Sequence, residues 1–260
     1  WSYGEESNNL KLGWNIANKS WPESFDSFSL KKSLPLIIKS GSIFGKINQS
    51  IANLLGTNEH LLLISGTTDS NAAFIAAQVK ENEGLTILGT TIVLKKIIKK
   101  TFNHPGITMH KVNGDLICGG SSNAGCGVLS NFFSDLEIEE LSQQINPRKK
   151  TALNYLPLNS QGERFPTNDP FLKPIIKPRP VSDALFLQGL LEGLARIELK
   201  GWLKLKSFTG YLPKKIITIG GGSKNPQWKS IREKTLKIPI KNSNKSTSFG
   251  SALIALQADS

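Results

Sequence analysis

Cysteine, histidine and methionine are scarce in this 260-residue chain, which has two, three and one of them respectively. Cys118 and Cys126 stand in C-x7-C spacing, which matches no zinc or redox motif. So few thiols suit a reducing compartment, read here as the cytoplasm, with both cysteines as buried free thiols. His60, His104 and His110 share no metal-ligand spacing, so each is read as a surface or loop residue and no protein-bound metal is expected. Long hydrophobic runs are also lacking. The least charged long stretch, Leu61 to Val79, is interrupted by the polar residues from Ser65 to Asn71, which a bilayer-spanning helix does not tolerate cheaply, so no membrane partner is expected. The opening WSYGEESNNLK has no basic region followed by an apolar core and reads as no signal peptide. Internal repeats and low-complexity tracts are absent from the sequence.

Acidic residues are the minority charge, 20 against 32 lysines and arginines, leaving a formal net charge of +12. Such a balance is one route to nucleic-acid binding by counterion release. The lysines, however, are spread along the whole chain, with local groups at Lys95-Lys96, Lys99-Lys100, Arg148 to Lys150 and Lys173 to Arg179, and no recognition motif accompanies them. Solvated faces are therefore the stronger reading and a nucleic-acid partner the weaker. At 38% hydrophobic and 20% charged, the chain is long enough to bury a core as one or two globular domains.

What is present is a set of strand, glycine-rich loop and helix units. In Ile216 to Trp228, IITIGGGSKNPQW, a β-branched run reads as a buried strand, and Gly220 to Gly222 let the backbone turn and approach a ligand with no Cβ in the way. Ser223 or Asn225 can cap the following helix, with Pro226 in its first turn. A helix N-terminus offers unpaired N–H groups to a phosphate, and Trp228 one turn on could stack on a purine. A bland connecting loop is the competing reading, and the pattern is neither Walker A nor the Rossmann fingerprint. The second unit is Leu61 to Ser65, then Gly66-Thr67-Thr68-Asp69-Ser70, then a helical Asn71 to Ala77. Asp69 is either an ordinary N-cap or a carboxylate at a strand's carboxyl end that accepts a proton from a substrate hydroxyl.

The order of several segments goes further. Gly66 to Ser70, Leu88-Gly89-Thr90-Thr91, Gly119 to Gly125, Leu190 to Ala195, Gly220 to Trp228 and Ser248 to Leu253, taken together, resemble the FGGY carbohydrate kinases. The likeness runs from about Leu10 to Ala258 and looks closest to pentulose kinases related to ribulokinase and xylulokinase. It implies an α/β, actin-like ATPase (ribonuclease-H-like) fold and transfer of the γ-phosphoryl of ATP, with Mg2+ travelling on the nucleotide, to a sugar hydroxyl. The implied acceptor is a pentulose, D-ribulose first and D-xylulose otherwise. Asp69 matches the family's catalytic base, with Thr68 beside it on the sugar. Thr90 and Thr91 match a turn facing the terminal phosphates, and Gly120 a backbone approach near the nucleotide. Gly221, Gly222, Asn225 and Trp228 match the adenosine pocket.

The family's opening strand and Asp-x-Gly-Thr phosphate loop do not occur in this sequence. The chain is accordingly read as the C-terminal part of a longer kinase, with the missing N-terminal half as its expected partner. Residues 1–77 would be the remnant of the sugar-binding domain and 78–260 the nucleotide-binding domain, with a terminal helix at about 249–259 returning to the first. Rival readings are a non-catalytic nucleotide-binding regulator, an assembly protein of actin-like fold, and the basic nucleic-acid binder.

Local patterns complete the expectation. Ile43, Ile47, Ile51 and Leu54 recur at helical spacing, giving a helix over about 42–55 whose core-facing side would be bared without the missing half. Glu83 to Lys100 reads as two strands about Gly89-Thr90-Thr91, with the lysines from 95 to 100 near a sheet end or edge, and Phe102 to Cys118 as another pair turning at Asn113-Gly114. Helices follow at 123–133 and 136–146, then an irregular Pro147 to Pro180, then a long helix from Ser182 to about Lys206. Glu192, within that helix, is read as structural.

Overall fold

The computed structural model describes residues 3–27, 29–112 and 114–258. The chain divides into two compact units: Trp1–Gln78 with His110–Leu116 and Lys245–Ser260, and Val79–Met109 with Ile117–Asn244.

In the first unit, strand β1 (Tyr3–Glu5) pairs in parallel with β2 (Leu36–Ile38), and β3 (Ile43–Lys46) pairs antiparallel with β4 (Leu62–Ile64). Helix α1 (Gln49–Leu55) lies between β3 and β4 in sequence, and α2 (Asp69–Ala76) follows β4. The helix expected over 42–55 is thus shorter. Ile43 is paired with Ile64 in a strand, and Asn48, whose side chain accepts the Ser50 N–H at 2.9 Å, starts the helix only at Gln49. The apolar positions are bared, as expected of this chain by itself: Ile43, Ile51 and Leu54 are exposed, Leu54 by 79%, alongside Phe44, Leu55, Leu61 and Leu63. Helix α7 (Thr247–Gln257) belongs to this unit and packs on α2 through small residues, among them buried Ala72, Ala73, Ala76 and Gly250. Asp259, at the expected end of that helix, lies outside the described residues.

The second unit is built on a six-stranded mixed sheet of order β10-β9-β5-β6-β8-β7, using β5 (Glu83–Leu88), β6 (Ile92–Ile97), β7 (Thr108–Val112), β8 (Asp115–Ser121), β9 (Lys215–Ile219) and β10 (Ile240–Asn242). Strands β5 and β6 form the expected hairpin, while β9 pairs in parallel with both β5 and β10. Asn113, half of the expected turn between β7 and β8, lies outside the described residues. Helices α3 (Cys126–Ser130) and α4 (Asp135–Gln143) precede the irregular excursion, and α5 (Asp183–Thr209) and α6 (Pro226–Leu236) pack together. Ser182 caps α5 by accepting the Leu185 N–H at 3.2 Å, and Gly210 ends it in the left-handed region, where glycine carries no Cβ penalty. Its buried face includes Phe186, Leu187, Leu190, Leu191, Leu194, Trp202 and Leu205. The Trp202 ring fills the space that a Cβ on Gly84 would take.

Two charged clusters sit inside this core. Arg232 of α6 makes two bonds of 2.6 and 2.8 Å to Glu198 of α5, and both side chains are buried. Thr86 and Thr218 complete the network from the sheet. Removing one partner from such a pair typically costs about 3–5 kcal/mol because the other charge is stranded. Lys95 and Lys96 lie near the end of β6, but where solvated charges were expected both are buried. The cause at Lys96 is local. Its Nζ donates to Thr209 Oγ1 at 3.0 Å and to the Tyr211 carbonyl at 2.9 Å, and lies 3.4 Å from the centre of the Tyr211 ring.

Candidate functional site

The glycine-rich turn after β9 starts from a steric necessity. Gly220 has φ of +95°, and a Cβ there would meet the Leu88 carbonyl oxygen at 2.5 Å. Gly221 to Lys224 then form a short 3-10 turn, and Asn225 caps α6 by accepting the Trp228 N–H at 2.9 Å, with Pro226 in the first helical position. The other end of the Asn225 amide donates to Ser142 Oγ of α4 at 2.7 Å, which fixes the cap from both sides. Of the two capping candidates, then, Asn225 is used. Gly221 is exposed, and a Cβ on it would meet nothing within 4 Å, which leaves its face open to a ligand.

Trp228 does not offer the expected stacking surface. Its ring is 1% exposed because the first turn of α6 directs it inward beneath Gly222, where a Cβ would meet the ring at 2.4 Å and the Cys126 sulfur at 2.9 Å. It supports the glycine turn from below. Gly120 is also explained from within: the Phe165 ring occupies the place of its missing side chain, at 2.3 Å from a built Cβ.

The turn between β5 and β6 carries Thr90, exposed, and Thr91, half-buried. Its backbone is pinned by the start of α3: the Cys126 N–H donates to the Gly89 carbonyl at 2.9 Å, and the Gly127 N–H to the Thr90 carbonyl at 3.1 Å. Burial pushes the Cys126 thiol up from its ordinary pKa, so it stays protonated at neutral pH. Sequence reasoning left Glu163 inside the irregular excursion. Its buried carboxylate accepts from Ser122 Oγ and from the N–H groups of Asn123, Arg164 and Phe165, and so ties the excursion to the Gly119 to Gly125 segment. Nothing in the local pattern of Glu163-Arg164-Phe165-Pro166 discloses these bonds to residues about 40 positions away.

In the first unit, Asp69 is the first residue of α2 and is exposed. One carboxylate oxygen accepts the Ser70 N–H at 2.6 Å, and the other has no protein partner among the described residues. Thr68 occupies the N-cap without using its side chain, and its buried hydroxyl has no hydrogen-bond partner among the described residues. The loop is held from below by Ser40 Oγ, which donates to the Gly66 carbonyl at 2.9 Å, and by Asn71, whose amide reaches Thr67 Oγ1 and His110 Nδ1, each at 3.3 Å. His110 is therefore a partner of this loop.

Among the described residues no group of three His, Cys, Asp or Glu side chains could hold a metal ion, and no helix is long and apolar enough to cross a membrane.

No protein-family profile matches the chain. Among curated proteins, a xylulose kinase from Staphylococcus epidermidis is 26% identical over 263 residues, covering 94% of this chain and 52% of the relative. Among solved structures, ligand-bound xylulose kinase from Lactobacillus acidophilus matches with a TM-score of 0.83 at 17% identity, over 98% of this chain and 55% of that one. Glycerol kinase from Plasmodium falciparum, solved with ADP, matches with a TM-score of 0.81 at 20% identity, over 99% and 55%. The chain spans about half the length of the curated relatives it matches. In sequence the chain is similar to xylulose kinases, and in fold to solved sugar kinases, over about half of their length.

Proposed function

We propose that the chain supplies the general base and the nucleotide-binding unit of an ATP-dependent kinase that phosphorylates a sugar hydroxyl. The observation that carries this reading is the Asp69 carboxylate, which stands exposed at the start of α2 with one oxygen held by the Ser70 N–H. Its second oxygen is available to a substrate hydroxyl, while the unpartnered Thr68 hydroxyl is buried and would meet the same sugar only if the loop shifts. The open face of Gly221, the turn at Thr90 and Thr91, and the capped start of α6 at Asn225 support a nucleotide on the second unit, with Gly222 and Trp228 as the packed layer behind it. Gly120 serves that unit through its packing against Phe165.

In this reading the acceptor hydroxyl oxygen attacks the γ-phosphorus of ATP, the bond from that phosphorus to the bridging oxygen of ADP breaks, and the hydroxyl proton passes to Asp69. Positioning and charge stabilisation supply most of the acceleration in such chemistry. Mg2+ would enter with the nucleotide, held by its phosphates rather than by a protein cage.

The acceptor proposed is a pentulose. The curated relatives are xylulose kinases, which favours D-xylulose over the D-ribulose expected from sequence. Residues 1–77, with the terminal helix α7, are proposed to complete a sugar-binding domain together with upstream polypeptide, and Val79–Met109 with Ile117–Asn244 to form the nucleotide domain. The exposed Phe44, Ile51, Leu54, Leu55 and Leu63 support such a partner, since apolar surface of this extent on one small unit is normally covered. ADP release tests the reading, with D-xylulose, D-ribulose and glycerol offered separately to the chain alone and to the chain joined to its upstream coding sequence. Turnover with a pentulose in the joined form supports it. ATP binding without turnover by either form would favour the regulator.

A further inference from the structure

The Glu163 carboxylate uses its two oxygens to join two short segments, 122–123 and 164–165. Oε2 accepts from Ser122 Oγ at 2.5 Å, while Oε1 accepts from the backbone N–H groups of Asn123 at 2.9 Å, Arg164 at 2.9 Å and Phe165 at 3.3 Å. The Ser122 hydroxyl that donates to Glu163 also accepts the Ala124 N–H at 2.9 Å, so its orientation is fixed from both sides. From there the bonds run to the β5–β6 turn. The Ser122 N–H donates to the Ile92 carbonyl at 2.9 Å, and the Ile92 N–H to the Ala124 carbonyl at 2.7 Å. The next residue, Gly125, lies so close to the turn that a Cβ on it would meet the Thr90 carbonyl oxygen at 2.4 Å and the Thr91 Cα at 2.6 Å.

From this chain of contacts we infer that Glu163 is a positioning residue for nucleotide phosphate: through Ser122, Asn123 and Ala124 it sets the place of the Thr90-Thr91 turn, without touching the ligand itself. The inference rests on the nucleotide reading above and adds a specific residue to it. Three features argue for a positioning role over general packing. The carboxylate is buried, its bonds among the described residues are made to donors within 122–123 and 164–165, and the segment it holds abuts the turn carrying Thr90 and Thr91. Four donors converge on the two oxygens of Glu163, so the position calls for a side chain that only accepts. A glutamine would present an N–H to a serine oxygen that already accepts from Ala124, and would leave the serine proton with no acceptor. A hydrogen bond to a charged group is worth enough for its loss to be read in affinity.

The experiment titrates the chain with ATP, ADP and adenosine by calorimetry, comparing wild type with Glu163→Gln and Ser122→Ala, and follows each protein's thermal unfolding. In Glu163→Gln, ATP affinity is expected to fall about tenfold or more, with adenosine affinity held within about twofold, since the Gly221 and Asn225 side of the site is untouched. Ser122→Ala should shift ATP in the same direction by less, and it decides the matter if Glu163→Gln does not fold. Unchanged ATP binding in both variants, or equal losses for ATP and adenosine, would overturn the inference. If wild type bound neither ATP nor adenosine, the nucleotide reading would fall first, and this inference with it.

Discussion

A Cβ placed on Gly250 would lie 1.9 Å from the carbonyl oxygen of Ala72. Helix α7 crosses α2 at a distance only glycine allows, and α2 is the helix whose first residue is Asp69. Gly250→Ala must therefore push the two backbones apart. Overpacking of this kind costs about 1–3 kcal/mol. Urea unfolding followed by circular dichroism should show the loss, and an unchanged midpoint would mean that the crossing is looser than described.

Gly221 and Gly222 adjoin in sequence and differ in what they face, and this separates ligand contact from packing. Gly222→Ala drives a methyl into the Trp228 ring, so both stability and nucleotide affinity should fall. Gly221→Ala meets nothing in the protein within 4 Å, and no left-handed backbone angle stands against it. Its unfolding midpoint should match wild type, while ATP affinity drops if the nucleotide backbone comes against that face. A Gly221→Ala protein with unaltered ATP affinity would move the ligand elsewhere.

The strand, glycine turn and helix at 215–236 and the hairpin at 83–97 were legible in sequence because β-branched runs and glycine clusters are local signals. Burial was not. Lys95 and Lys96 read as solvent-facing charges, since nothing near them in sequence reveals that Thr209 and Tyr211 would arrive to bond Lys96 from more than 110 positions away. The helical spacing of Ile43, Ile47 and Ile51 misled for the opposite reason. Strand pairing to β4 and the Asn48 cap overrode a periodicity that was real only from Gln49. Asp69, Thr90 and Gly221 were singled out as candidates through the order of motifs, whereas the bonds of Glu163 and Ser142 join residues about 40 and 83 positions apart.

Burial lowers the pKa of Lys96 from 10.5 to about 8, with the nearby Cys118 opposing the shift, and raises that of Cys118 from 9.0 to about 12. The signs differ. Between about pH 8 and 10.5 the unfolded chain binds more protons at Lys96 than the folded one, so this group's contribution to stability rises with pH across that window. Cys118 acts the other way above pH 9, where the unfolded thiol ionises and the folded one does not. Lys96→Met should remove the rising contribution, on the order of 1–3 kcal/mol, and leave stability falling more steeply through pH 9–10. Matched unfolding curves for the two proteins at pH 7.5, 8.5 and 9.5 check it, and parallel pH profiles would contradict it.

The central claim is that Asp69 takes the proton from the acceptor hydroxyl. It is tested by steady-state ADP release with D-xylulose in the chain joined to its upstream coding sequence, comparing wild type with Asp69→Asn. The account predicts that kcat falls by about 100-fold or more while the ATP dissociation constant stays within about twofold, because the asparagine keeps the shape of the loop and loses only the base. An Asp69→Asn enzyme that retained wild-type turnover would contradict the assignment and leave Asp69 as nothing more than the first residue of its helix.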